Sequence, residues 1–254
     1  MIFKKFKLGK MNLKNRITIS PMCQYSSVNG SPSSWHYQHL GKLAISGAGM
    51  MMIESTAINK EGKITHKDLC LFNNTHQKNL KKLLNFLKKI SNIAIGIQIS
   101  HSGRKGSANI PWIKSNTPLN LKEKKWTTVA PSAIKKDINW PKPKELSLKK
   151  IKNIKEDFKN SAIRAKQVGF DCLEIHMAHG YLLHEFFSPI SNKRKDKYGG
   201  NLENRIRLLI EIAQIIRKIW PKEKILGARI TAYDHMEKGI SISESKYLAK
   251  KLED

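Results

Sequence analysis

Cysteine is scarce in this chain, and acidic residues are few beside the basic ones. Cys23, Cys70 and Cys172 are odd in number, far apart and without a CxxC pair. That excludes a disulfide framework and a zinc-finger spacing, and fits a reducing cytoplasm. Long apolar runs are missing too: none approaches the ~18 residues that a membrane-spanning helix needs. Residues 1–16 carry no apolar core of about 7–15 residues and no small-residue cleavage site, so no secretory signal is expected. Acidic residues number 20 against 47 basic ones, a formal net charge of +27 over 254 residues. The excess is lysine, 39 against 8 arginines, scattered over nearly every helical stretch and loop. Readers of nucleic acid favour Arg for bidentate contacts and gather their charge on one face. The charge therefore describes a basic, solvated surface, and a nucleic-acid-binding module is the weakest reading.

What remains is a globular mixture, 40% hydrophobic and 26% charged, enough for one large domain or two small ones. Apolar runs alternate with amphipathic stretches. Arg16 to Ser20 is a short β-branched run, and Met50 to Glu54 a second strand candidate. Between them, His36 to Ser46 reads as a helix with Tyr37, Leu40, Leu43 and Ala44 on one face, stopping at Gly47 and Gly49. His76 to Ile90 places Leu80, Leu83, Leu84, Leu87 and Ile90 at helical spacing, with lysines opposite. Ile93 to Ser100 is apolar almost throughout, as a strand covered on both faces should be.

Residues from about 106 to 146 break the rhythm. Five of the nine prolines (Pro111, Pro118, Pro131, Pro141 and Pro143) fall there, with Trp112, Trp126 and Trp140. The segment reads as one long excursion, and its three indoles favour a packed one. Regularity then returns. Ser147 is the expected N-cap of a helix to Val168, which Gly169 ends. Asp171 to His176 is a fourth strand, Asn201 to Trp220 a helix with Pro221 beyond it, and Ile225 to Ile230 a fifth strand. Ser243 is expected to open a last helix.

This alternation predicts a parallel α/β sheet with right-handed crossovers. No GxGxxG follows the first strand, so the dinucleotide fingerprint is absent. The chemically able residues sit just past strand ends instead: Cys23, Glu54, Gln98 to Arg104, His176 to Tyr181, and Arg229. A (β/α)₈ barrel shows that distribution at its C-terminal face, and an open doubly wound sheet is the alternative. His176 and His179 stand three apart beyond a strand, with Tyr181 two residues on. Two imidazoles and a phenol there could bind metal, polarise a carbonyl oxygen or shuttle a proton. They could equally be core histidines satisfied by backbone groups. A metal would need a third ligand, and HxxHxY is not a zincin pattern.

Five segments taken together carry a resemblance. They are SPMCQYSS (20–27), GIQISHSGRKGSANIPW (96–112), APSAI (130–134), GFDCLEIHMAHGYLLHEFFSPISNKRKDKYGGNLENR (169–205) and LGARI (226–230). The chain resembles the old yellow enzyme family, the FMN-dependent ene-reductases and NAD(P)H dehydrogenases built on a TIM barrel, and within it the bacterial branch that includes xenobiotic reductases. The resemblance implies that His176 and His179 hydrogen-bond the carbonyl oxygen of an α,β-unsaturated substrate, and that Tyr181 delivers a proton to its α-carbon. It implies that Cys23 lies beside the flavin and tunes it, and that Tyr25 is a substrate-side phenol. Gln98 is implied at the pyrimidine edge of non-covalent FMN and Arg229 where reduced flavin carries negative charge. The backbone of Ser20, Pro21, Met22 and Ser55 is implied to run along the ring. Lys105 is a further candidate near the mouth, and Arg194, Asp196, Tyr198 and Asn204 read as structural.

Five βα units are legible in residues 1–254 where a barrel has eight. In the resembled family the flavin phosphate sits on glycine-rich loops after the seventh and eighth strands, the usual barrel phosphate site. The expectation is therefore the N-terminal part of one FMN-binding barrel, either a truncated product or one completed by a second chain or another copy. Its expected function is hydride transfer from NAD(P)H, through FMN, to the activated C=C of an enone-type small molecule in the cytoplasm. The alternative is a catalytically silent fragment of such an enzyme. No membrane or nucleic-acid partner is expected.

Overall fold

The computed structural model describes residues 1–120 and 125–253. The chain opens with a small antiparallel hairpin, β1 (Phe6–Leu8) and β2 (Met11–Leu13), in which Phe6 pairs with Leu13. The main elements follow as β3 (Thr18–Ile19), α1 (Ser34–Ala44), β4 (Met50–Ala57), α2 (Asn74–Ile90) and β5 (Ala94–Ser100). The proline-rich excursion carries a four-residue helix α3 (Pro111–Lys114) and two short strands, β6 (Val129–Ala130) and β7 (Lys144–Glu145). Then come α4 (Leu148–Val168), β8 (Cys172–Met177), α5 (Leu182–Phe187), α6 (Leu202–Ile219), β9 (Ile225–Ile230) and α7 (Ile242–Glu253). One five-stranded parallel sheet, in the order β3-β4-β5-β8-β9, organises the molecule.

The helices form where sequence periodicity and caps agree. Leu80, Leu83, Leu84 and Leu87 of α2 are buried, and the Asn73 side chain accepts the His76 N–H at 2.8 Å. Each leucine removed from water contributes roughly 1.5–3 kcal/mol before the entropy of ordering is counted. Ser147 caps α4 by accepting the Lys150 N–H, and Asn201 caps α6 by accepting that of Asn204. The last helix departs from expectation: Ser241, not Ser243, is its cap. Ser241 accepts the Glu244 N–H at 3.2 Å while the Glu244 carboxylate accepts the Ser241 N–H at 3.0 Å, a reciprocal capping box.

The period of two sorts the strands into an outer and an inner face. Ile53, Ile95, Ile97, Ile99, Leu173 and Ile175 join the helices in the main core. Met50, Met52 and Cys172 face the other way and meet Leu13, with Phe6 and Leu8 beside them, so the hairpin floors the inner face. The polar residues with chemistry to offer, Ser55, Gln98, Glu174, His176 and Arg229, lie on that face from mid-strand toward the C-terminal ends.

The excursion is partly ordered by pairing. β6 and β7 run parallel, Val129 opposite Lys144. Trp140 is buried, and the Trp126 indole donates to the Glu61 carbonyl at 3.0 Å. Trp112 departs from the packed expectation: it is 65% exposed, with the Tyr25 ring edge-on to it at 5.9 Å. Among the described residues no helix is long and apolar enough to cross a membrane.

Candidate active site at the C-terminal strand ends

The register of the sheet builds a polar row. Ser55 pairs with Gln98, Gln98 with Glu174, and Glu174 with Gly227, while His176 pairs with Arg229 one step further up. The β4–β5 register shifts between Ile53 and Ser55, which brings Ser55 onto the inner face and sets Glu54 aside as the extra residue. Gln98 Nε2 donates to Glu174 Oε1 at 2.5 Å, and Arg229 Nε donates to the same oxygen at 2.9 Å. Arg229 Nη2 reaches Glu174 Oε2 at 3.3 Å. Glu174 thus compensates the guanidinium charge. Glu174 lies two residues before His176 on one strand, and that spacing was the signal for it.

The second component is a tight turn. After β8, His179 and Gly180 both adopt left-handed backbone, φ +59° and +70°. The left-handed φ at Gly180 favours glycine, and a Cβ there would push aside the Lys105 side-chain end, whose Cε and Nζ would stand 2.8 Å away. The turn folds the rings of His176, His179 and Tyr181 together. Ring centroids lie 4.9 Å apart for His176–His179, 4.7 Å for His176–Tyr181 and 6.5 Å for His179–Tyr181. His176 Nδ1 accepts the Ala178 N–H at 3.2 Å, which assigns the ring proton to Nε2. That Nε2 stands 3.2 Å from His179 Nδ1. Burial, with His179 and Arg229 adding to it, pushes His176 down to about 3, so it stays neutral. His179 is lowered as well, by burial and then by Arg229 and Lys105. Tyr181 moves up through burial, reinforced by Cys23, Tyr25 and Asp68, so its phenol keeps the proton.

The third component is the stretch after β3. Ser20 and Met22 are exposed, and Pro21 and Cys23 half-buried. Glu54 anchors the stretch: its carboxylate accepts the Gln24 N–H at 2.8 Å and faces His36 Nε2 at 3.0 Å. The Ser33 N–H donates to His36 Nδ1, so the imidazole connects the start of α1 to the site. This His36–Glu54 link was not read from the sequence; its partners lie on two elements with no local pattern joining them. Burial raises the Cys23 thiol, and Asp68 and Glu54 add to this against hydrogen bonds from Tyr25 and the Ser55 backbone. Cys23, Tyr25 and Tyr181 pack against Ile64, Ala108 and Trp140, so the excursion backs the site.

Lys105 donates to the His179 carbonyl at 2.5 Å and thus holds the turn. Arg194 pairs with Asp196 and donates to the Pro131 and Leu146 carbonyls, tying the excursion to the loop before α6. Asn204 donates to the Gly199 carbonyl, and the Tyr198 hydroxyl donates to Glu211. Among the described residues no group of three His, Cys, Asp or Glu is placed to hold a metal ion.

A sequence profile of the NADH:flavin oxidoreductase / NADH oxidase family matches residues 1–254. The chain belongs to that family. It is 42% identical over 237 residues to an NADPH dehydrogenase of Clostridium acetobutylicum, covering 92% of this chain and 65% of the relative. A NADH:flavin oxidoreductase of Gibberella zeae is 40% identical over 240 residues, 93% of this chain and 58% of its own length. The chain thus spans about three fifths to two thirds of these relatives. Old Yellow Enzyme from Pichia sp. AKU4542 superposes with a TM-score of 0.86 at 26% identity, covering 99% of this chain and 67% of that one. The five parallel strands are therefore part of a (β/α)₈ barrel, and the inner face described above is the barrel interior.

FMN is the family's cofactor, with reduced nicotinamide as the reductant. The donor set on the inner face fits its ring. An isoalloxazine pyrimidine edge alternates acceptors with an N–H donor. Gln98 keeps its carboxamide oxygen as an acceptor after donating to Glu174, and Arg229 Nη1 is uncommitted among the described residues.

Proposed function

We propose that this chain is an FMN-dependent NAD(P)H oxidoreductase of the cytoplasm that reduces the activated C=C of α,β-unsaturated carbonyl compounds. The observation that carries the reading is the cluster of His176, His179 and Tyr181 rings standing over the Gln98–Glu174–Arg229 row. When bound, the flavin supplies hydride transfer between the nicotinamide and the substrate. Gln98 would pair with the ring's pyrimidine edge, and the uncommitted Nη1 N–H of Arg229 would donate toward the negative charge of its reduced form. The backbone of Ser20, Pro21, Met22 and Ser55 would border the ring, and the neutral Cys23 thiol beside it would tune its potential.

The histidines do the polarising. His176 gives up the acceptor it has in His179 Nδ1 and turns its Nε2–H to the substrate carbonyl oxygen. His179 brings a second N–H. Two such donors stabilise the enolate-like charge that develops on that oxygen. Tyr181, kept protonated by burial, passes its O–H proton to the α-carbon. Tyr25 lines the substrate side.

Replacing both histidines, His176→Ala with His179→Ala, should lower 2-cyclohexenone turnover at least a hundredfold while FMN affinity stays within about threefold. Unchanged turnover would remove the role assignment. The half-exposed β9 supports one second reading, a chain that holds flavin weakly and turns nothing over. No turnover by the unaltered chain in excess FMN would select it.

A further inference from the structure

A second imidazole–carboxylate pair lies directly behind the catalytic turn. His184, on the first turn of α5, is buried and its Nε2 stands 2.7 Å from Asp234 Oδ1. The other ring nitrogen, Nδ1, accepts the Gly180 N–H at 2.6 Å. An acceptor at Nδ1 assigns the proton to Nε2, so His184 donates to Asp234. Thr231 Oγ1 lies 3.3 Å from the same Nδ1 and accepts the His179 N–H at 3.1 Å. The single Nδ1 lone pair is taken by the Gly180 N–H, and the Thr231 hydroxyl, lying against it, takes the His179 amide proton.

Asp234 is itself held. Its second oxygen, Oδ2, accepts the Ser188 hydroxyl at 2.7 Å and the Ile240 N–H at 3.0 Å. Burial alone would raise this carboxyl, yet those bonds and His184 outweigh it and hold it at about 2. Asp234 follows β9, whereas His179, Gly180 and His184 follow β8, so the pair joins two neighbouring strand ends.

The turn needs such support. Left-handed backbone is disfavoured for a residue with a Cβ, and His179 and Gly180 are both left-handed, in succession. Both amides and the His179 carbonyl are engaged, the amides by Thr231 and His184 and the carbonyl by Lys105. We propose that Asp234 and His184, acting through Thr231 and the two amides, are positioning residues that fix the His179–Gly180 turn and so aim the His179 ring at the substrate. The proposal rests on the oxidoreductase reading only for what the aimed ring does.

The test has two arms. Amide hydrogen exchange by NMR on the full chain should show the His179 and Gly180 amides protected. In Asp234→Ala both should exchange at least tenfold faster, while β5 and β8 amides keep their rates. Asp234→Asn, which retains an acceptor for His184, should restore protection to within about threefold. Thr231→Val, nearly isosteric, should free the His179 amide alone, and it keeps the test decisive if Asp234→Ala does not fold. In the second arm Asp234→Ala should lower kcat for 2-cyclohexenone at least tenfold with FMN affinity within threefold. Unchanged exchange at both amides, with unchanged His179 imidazole ¹⁵N shifts, would overturn the proposal whatever the activity. A parent chain without turnover would defeat the oxidoreductase reading and leave the exchange arm to decide this one.

Discussion

Buried ionisable residues surround the site, and their signs determine how stability responds to pH. His101 and His176 are both pushed down to about 3, His101 by burial and His176 by burial and nearby cations. Below the unfolded value near 6.5 the unfolded chain binds protons that the folded one refuses. Their contribution is thus full above about pH 6.5 and is lost as pH falls toward 3. Glu185 is raised to about 8 and Asp68 to about 7, both by burial first. Raised carboxyls do the opposite: their contribution is full below about pH 4 and is lost as pH rises through 7 to 8. Each group changes stability by up to about 1.4 kcal/mol per pH unit. Two falling and two rising contributions cancel between about pH 4.5 and 6.5. Calorimetry in enough salt to screen the +27 charge should therefore find a Tm plateau there, with losses on both sides. A Tm that climbs steadily from pH 5 to 8 would mean that Glu185 and Asp68 are ionised in the folded protein.

At the scale of elements, ends matter more than middles. α4 stops at Gly169, whose φ of +102° lets its N–H return to the Ala165 carbonyl at 3.1 Å. A Cβ there would meet nothing closer than Lys81 Nζ at 3.5 Å, so Gly169→Ala changes the backbone preference and little else. Urea denaturation should show a loss of about 1–2 kcal/mol, with unchanged site geometry by flavin binding. A neutral outcome would mean that α4 ends through its packing and not through this cap. The long helices were legible because their apolar residues recur at the helical period, and the five sheet strands because each is a short, largely apolar or β-branched run. α5 was not, because six residues buried on every side leave no periodic contrast. The β1–β2 hairpin was missed for a related reason: three-residue strands carry almost no alternation.

The whole molecule presents a sheet with β3 and β9 at its edges, and β9 is half-exposed along its length. The groups proposed to border the flavin ring lie on its inner face, from Gln98 to Arg229. The glycine-rich loops expected after a seventh and an eighth strand have no counterpart among the described residues, whose main sheet has five strands. A flavin phosphate is ordinarily held by charge-assisted bonds worth about 1.5–3 kcal/mol each. Two fewer of them weaken binding by about a hundredfold. Titration of this 254-residue chain should therefore give similar, weak affinities for FMN and for riboflavin, which lacks the phosphate. A strong preference for FMN would place a phosphate site within these residues.

Alternation of strand and helix, the faces of α2, α4 and α6, and the cluster of chemistry past the strand ends follow from the sequence alone, because each is a local repeat or a contiguous motif. The HxxHGY segment named its own ring residues for the same reason. Only the tertiary structure decided which groups hold those rings. Glu174 bridges Gln98 and Arg229 on neighbouring strands, Glu54 joins Gln24 to His36, and Asp234 reaches back to His184 across 50 residues. Hydrogen bonds of this kind depend on register and on loop paths between distant segments. Periodicity, being local, carries no record of them.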